Sequence, residues 1–136
     1  MKSVKSALPM ILAGFALVLT GCATTPRVLP PVRGIKILAE KVVTVAGEGG
    51  AAEIPFSAGV GQKILITMLS ESFRMEPYGY LEPPNGEGFY TPENGQSASG
   101  LNSSEVSLSQ GGDFTLTVFD GSNRGGVVHV RIELLE

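Results

Sequence analysis

The sequence predicts an all-β fold, an antiparallel β-sandwich or jelly-roll-like domain, over residues 35–136. Three observations lead there. Apolar residues recur at every second position in several short runs, the period of a half-buried strand. Gly-, Pro- and Asn-rich turns separate those runs, and the 136-residue chain holds 18 Gly and 9 Pro. After Gly21, no stretch keeps a helical period for as long as a packed helix needs.

The elements follow in order. Ile35, Ile37 and Ala39 alternate with Lys36 and Leu38, and Val42-Val43-Thr44-Val45 continues a β-rich strand. Gly47-Glu48-Gly49-Gly50 is a turn. Glu53–Ala58 is a short strand that Pro55 assigns to a sheet edge, because proline cannot donate to a ladder. Gly59-Val60-Gly61 turns the chain. In Lys63–Ser70, Ile64, Ile66 and Met68 face one way and Leu65, Thr67 and Leu69 the other, the pattern of a central strand. Residues 72–112 are rich in Pro, Gly and Ser, with turns at Asn85-Gly86 and Asn94-Gly95 and short strands expected at Tyr78–Leu81 and Glu105–Leu108. A closing hairpin is the clearest unit. Phe114, Leu116 and Val118 line one face of Asp113–Phe119, with Thr115 and Thr117 opposite. After the turn Asp120–Gly126, Val128, Val130, Ile132 and Leu134 face the core, while His129, Arg131 and Glu133 are expected to face out. Seven or eight such strands favour a sandwich. The long Pro/Gly stretch breaks the even spacing that a closed barrel of lipocalin size would need.

Ahead of this domain, Lys2 and Lys5 precede an almost uninterrupted apolar run from Ala7 to Leu19. The run is too short for a spanning helix, which needs about 20 apolar residues, and has the build of a secretion signal. It closes on Leu19-Thr20-Gly21-Cys22, which resembles the lipobox of bacterial lipoproteins. That resemblance implies cleavage after Gly21, acylation of Cys22, and attachment to the membrane through N-terminal acyl chains. Ala23 after the lipidated cysteine implies the outer membrane of a bacterial envelope, by analogy with lipoprotein sorting in enteric-type bacteria. Residues 22–34 then read as the acylated cysteine and a flexible tether, because their prolines forbid a helix.

Removing residues 1–21 from the 136-residue chain leaves 115, enough for one small domain with its own core. Eight of the ten Lys and Arg remain against thirteen Asp and Glu, a net charge of −5. That argues against a nucleic-acid partner, which requires a basic patch. Cys22 is the only cysteine, so no disulfide and no thiolate metal site can form within the chain. Burial and sheet hydrogen bonds must hold the domain.

The domain also resembles the β-sandwich modules called pre-peptidase C-terminal domains. Three pieces carry the likeness: Ile54–Ile66 as strand, glycine turn and apolar strand; Tyr78–Gly86 as the middle strand ending in a proline-glycine turn; and Gly111–Val118 with Val128–Leu134 as the closing hairpin. The acidic pair usual in that middle strand is replaced by Tyr78 and Gly79. The resemblance implies the fold and an accessory, non-catalytic role. It carries over no calcium site.

Little in the residues points to catalysis. His129 is the only histidine, flanked by Val128 and Val130 with no partner nearby in sequence. No Gly-x-Ser-x-Gly occurs. Glu71, Glu76, Glu82, Glu87 and Glu93 are spread through turns at no informative spacing. Asp113 and Asp120 bracket a strand in a way that fits turn capping better than calcium binding. The glycine clusters open no helix and are not phosphate loops. No cofactor, metal site or catalytic residue is therefore expected.

The aromatics are more informative. Five of the eight that follow Cys22 fall between Phe73 and Tyr90: Phe73, Tyr78, Tyr80, Phe89 and Tyr90, with Arg74 beside the first. Such residues on loops over a rigid sheet suit stacking on a sugar ring or a protein partner. The expectation is a lipid-anchored, non-enzymatic envelope protein that binds a protein or glycan through residues 72–100. A structural or accessory subunit of an envelope assembly is the alternative. An envelope hydrolase is a weaker one, and would need two carboxylates flanking a cleft.

Overall fold

A computed structural model describes residues 27–92 and 99–136 of the chain. The apolar leader, Cys22 and the Asn94-Gly95 turn lie outside these residues. The described part is all-β, with eight strands: β1 (Lys36–Val45), β2 (Ala52–Ala58), β3 (Lys63–Ser70), β4 (Pro77–Glu82), β5 (Phe89–Thr91), β6 (Leu101–Ser107), β7 (Gly112–Asp120) and β8 (Gly126–Leu134). They form two four-stranded sheets, ordered β1-β8-β3-β6 and β2-β7-β4-β5. All pairings are antiparallel. This is the predicted β-sandwich.

The core lies between the sheets. Ile64, Ile66, Met68, Val128, Val130 and Ile132 from the first sheet meet Ile54, Phe56, Leu81, Phe114, Leu116 and Val118 from the second. Phe56 and Phe114 are register partners whose rings stack at 5.4 Å. β3 lies between β8 and β6, as its two apolar faces require, and β2 is an edge strand with Pro55 exposed.

Three expectations change. The alternation expected from Ile35 breaks at a register shift between Ile37 and Ala39. Ile35 and Ile37 are therefore exposed, while Leu38 and Ala39 both pack on the core. β6 begins at Leu101 rather than Glu105, through Asn102, Ser103 and Ser104, which carry no apolar alternation. β5, only three residues long, had no signal of its own in the sequence.

The third change concerns the outer face of the first sheet. Arg131 and Glu133 do point away from the core, but they are buried, Glu133 to 1% exposure. So are Leu65, Thr67 and Leu69 on the same face. The cover is the part of the expected tether that the structure describes. The N–H groups of Arg33 and Gly34 donate to Glu133 Oε1 at 2.7 and 2.8 Å. Arg131 donates from Nε to Glu40 at 3.0 Å and from its guanidinium to the Pro30 carbonyl at 2.5 Å. Arg27 donates to the Ser70 and Ser99 carbonyls at 3.0 and 2.6 Å. Residues 27–34 thus run as a strap along this face, from the Ser70 end to the Leu134 end. Buried charge is costly unless paired, and here each buried charge has its partner in the strap or in β1. Proline is well suited to such a strap because it brings no N–H that would need an acceptor.

Candidate functional site

The second sheet presents an aromatic cluster on its outer face. Tyr78 and Tyr80 lie two apart on β4 and so share a face. In register, Tyr78 opposes Phe119 of β7, and Tyr80 opposes Tyr90 of β5. Tyr78 stacks on Phe119 with centroids 5.2 Å apart. Tyr80 meets Tyr90 edge to face at 4.9 Å, and Tyr78 lies 5.9 Å from Tyr90. Gly79, between the two tyrosines, faces the core, where a Cβ would stand 2.6 Å from Leu116 Cδ1. Glycine here lets β4 lie close against the packed interior. Tyr90 is 55% exposed, and the other three rings are half-buried.

The six candidate residues therefore separate into three places. Tyr78, Tyr80 and Tyr90 form one patch. Phe89 is on the other face of β5, beside Leu81 in register. It lines an open cleft of about 580 Å³ between the edge strands β5 and β6, together with Thr91, Ser103, Ser104 and Glu105, and Tyr90 borders both this cleft and the patch. Phe73 and Arg74 stand exposed in the β3–β4 turn. Phe119 completes the patch, and sequence reading missed it. Its signal was present: it continues the outward row of Thr115 and Thr117, where a large aromatic is out of place without a function or a neighbour.

The cleft offers hydroxyls rather than acid–base chemistry. Thr91 Oγ1 donates to Ser104 Oγ at 2.6 Å. Glu105 is the one carboxylate lining it, and it faces Arg33 at 3.4 Å and Lys63 at 4.0 Å. Elsewhere, His129 pairs with Glu71 of the β3–β4 turn at 3.1 Å, a partner that sequence distance concealed. Asp120 is 6% exposed and caps the β7–β8 turn. Its Oδ1 accepts the N–H groups of Glu76 and Ser122, and its Oδ2 those of Arg124 and Gly125, at 2.8–2.9 Å. Those lone pairs are taken by the fold, so the carboxylate is a turn cap. Among the described residues, no group of three His, Cys, Asp or Glu is placed to hold a metal ion.

Two of the solved structures similar to this chain share its fold. The pre-peptidase C-terminal domain of a Bacillus anthracis collagenase has a TM-score of 0.56, with 14% identity over 79% of this chain and 100% of its own. A periplasmic inhibitor of g-type lysozyme from Salmonella Typhimurium has a TM-score of 0.52, with 18% identity over 82% of this chain and 99% of its own. At these identities the likeness is one of fold, and the fold is the β-sandwich expected from the sequence. No protein-family model matches the chain, and no curated protein is similar to it.

Proposed function

We propose that the protein is a non-enzymatic binding module of the bacterial envelope, anchored by acyl chains on Cys22, with the outer membrane as its location. Its partner is an envelope protein or glycan, taken through the 72–100 region. The observation that carries this reading is the patch of Tyr78, Tyr80, Tyr90 and Phe119 on a rigid sheet. Aromatic rings offer large contact area at small entropic cost and dominate many interfaces. The lysozyme inhibitor of the same fold supports an envelope binding role without catalysis.

The test is calorimetric titration of the folded domain with peptidoglycan fragments and with g-type lysozyme as probes. Binding of either, weakened about tenfold or more by Tyr80→Ala with Tyr90→Ala, is the expected result. Equal affinity in the variant would remove the patch from the function. The accessory-subunit reading rests on the β2 edge instead, and predicts that Pro55 is covered in a complex.

A further inference from the structure

The strap does more than cover a sheet. Its first bonded residue, Arg27, is fixed at one end of the sandwich, where its guanidinium reaches Ser70 and Ser99. The carbonyl of Ser72 is beside it, since a Cβ on Gly100 would meet Arg27 Nη1 at 2.8 Å and the Ser72 oxygen at 2.9 Å. Phe73 and Arg74 follow Ser72 directly. Phe73 is 70% exposed and Val28, next to Arg27, is 80% exposed. Arg74 enters no ion pair among the described residues. Of the two acidic residues in the turn, Glu71 is turned to His129 at 3.1 Å and Glu76 lies against Gly121 of the β7–β8 turn.

Chain length then limits how far this end can stand from the anchor. Cys22 precedes Arg27 by five residues, and extended chain spans at most about 3.6 Å per residue, so the reach is roughly 18 Å. The strands run about 30 Å at about 3.3 Å per residue. The opposite end, with Val60 in the β2–β3 turn, lies beyond that reach. Resting on the acylation of Cys22, we infer that the Arg27–Val28 end and the β3–β4 turn lie against the bilayer that holds the acyl chains. Phe73 and Val28 enter the interfacial region, and Arg74 meets lipid phosphate. Aromatic and apolar side chains are favourable there, and an arginine can pair with phosphate while its stem stays apolar. Phe73 and Arg74, which the fold separates from the tyrosine patch, thereby acquire a ligand of their own.

The chain has no tryptophan, so one introduced residue reports alone. The experiment uses the full acylated chain in vesicles of phosphatidylethanolamine and phosphatidylglycerol, with and without lipid brominated in its acyl chains. The Phe73→Trp protein is expected to emit at shorter wavelength on vesicles and to lose intensity with brominated lipid. Val28→Trp, at the same end, should behave alike, and Val60→Trp should change in neither respect. Unquenched emission at both near-end positions, or equal quenching at Val60→Trp, overturns the inference. Labelled palmitate is followed in the same preparations. Absence of label at Cys22 defeats the anchor reading and the inference with it. Labelled protein with unquenched near-end reporters defeats the inference alone.

Discussion

Asp120 shows how one side chain holds a turn. Burial alone would push its carboxyl upward, but the N–H of Glu76, the hydroxyl and N–H of Ser122 and the N–H of Gly125 outweigh that and hold it well below the usual aspartate range. A depressed pKa stabilises the fold above the unfolded value, about 3.9, and the contribution is lost as pH falls toward the folded value. Asp120→Ala leaves four backbone donors without their acceptor and should cost about 2–3 kcal/mol near neutral pH. Urea unfolding of both proteins should show that gap constant above about pH 5 and narrowing below it. A gap independent of pH would refute the charged cap. The cap was legible in Asp120-Gly121-Ser122-Asn123, because local turn chemistry is written in adjacent residues. The burial of Glu133 was not. Its donors, Arg33 and Gly34, lie about a hundred positions away in sequence, in a proline-rich segment that reads as a tether.

At the scale of elements, the strap and the β2 edge make opposite demands. The strap needs its close approach at Gly34, where a Cβ would stand 2.5 Å from the Leu134 carbonyl oxygen and 2.9 Å from Glu133 Cβ. Gly34→Ala and Glu133→Ala should each loosen the strap without unfolding the sandwich. Faster amide hydrogen exchange at Arg33, Gly34 and Ile35, with β3 and β7 still protected, is the expected sign. Exchange rising everywhere would mean that the strap is part of the core's cooperative unit. The β2 edge needs to stay unpaired. Pro55→Val restores a donor on an exposed edge and should promote self-association, visible by sedimentation as a concentration-dependent rise in mass. The long strands β7 and β8 were readable from their alternation, because a core on one face imposes a period of two, and β3 was readable as an apolar run on both faces. β5 and the start of β6 were not, since edge strands held by neighbours and hydroxyl bonds need no apolar pattern.

For the molecule as a whole, the three tyrosines of the chain all stand in one patch, and no tryptophan competes with them. Tyrosine emission therefore reports that face alone. A partner that seats on it should change the emission, and one that docks on the β2 edge should leave it unaltered. Emission unchanged by a ligand whose binding Tyr80→Ala nonetheless abolishes would contradict a direct seat on the rings. The strap also governs reach. While it is bound, a chain anchored at Cys22 is held from the Arg27 end. Once it is released, the first fixed residue becomes Ile35, whose N–H donates to the Leu134 carbonyl at the opposite end. The free leash then grows from roughly 18 Å to roughly 45 Å, at about 3.5 Å per residue. The strap is stored slack. Letting it out would allow the domain to turn end over end and to meet partners farther from the membrane, an excursion that energy transfer from a lipid dye to a label at the β2–β3 turn would register in Glu133→Ala and not in the parent protein.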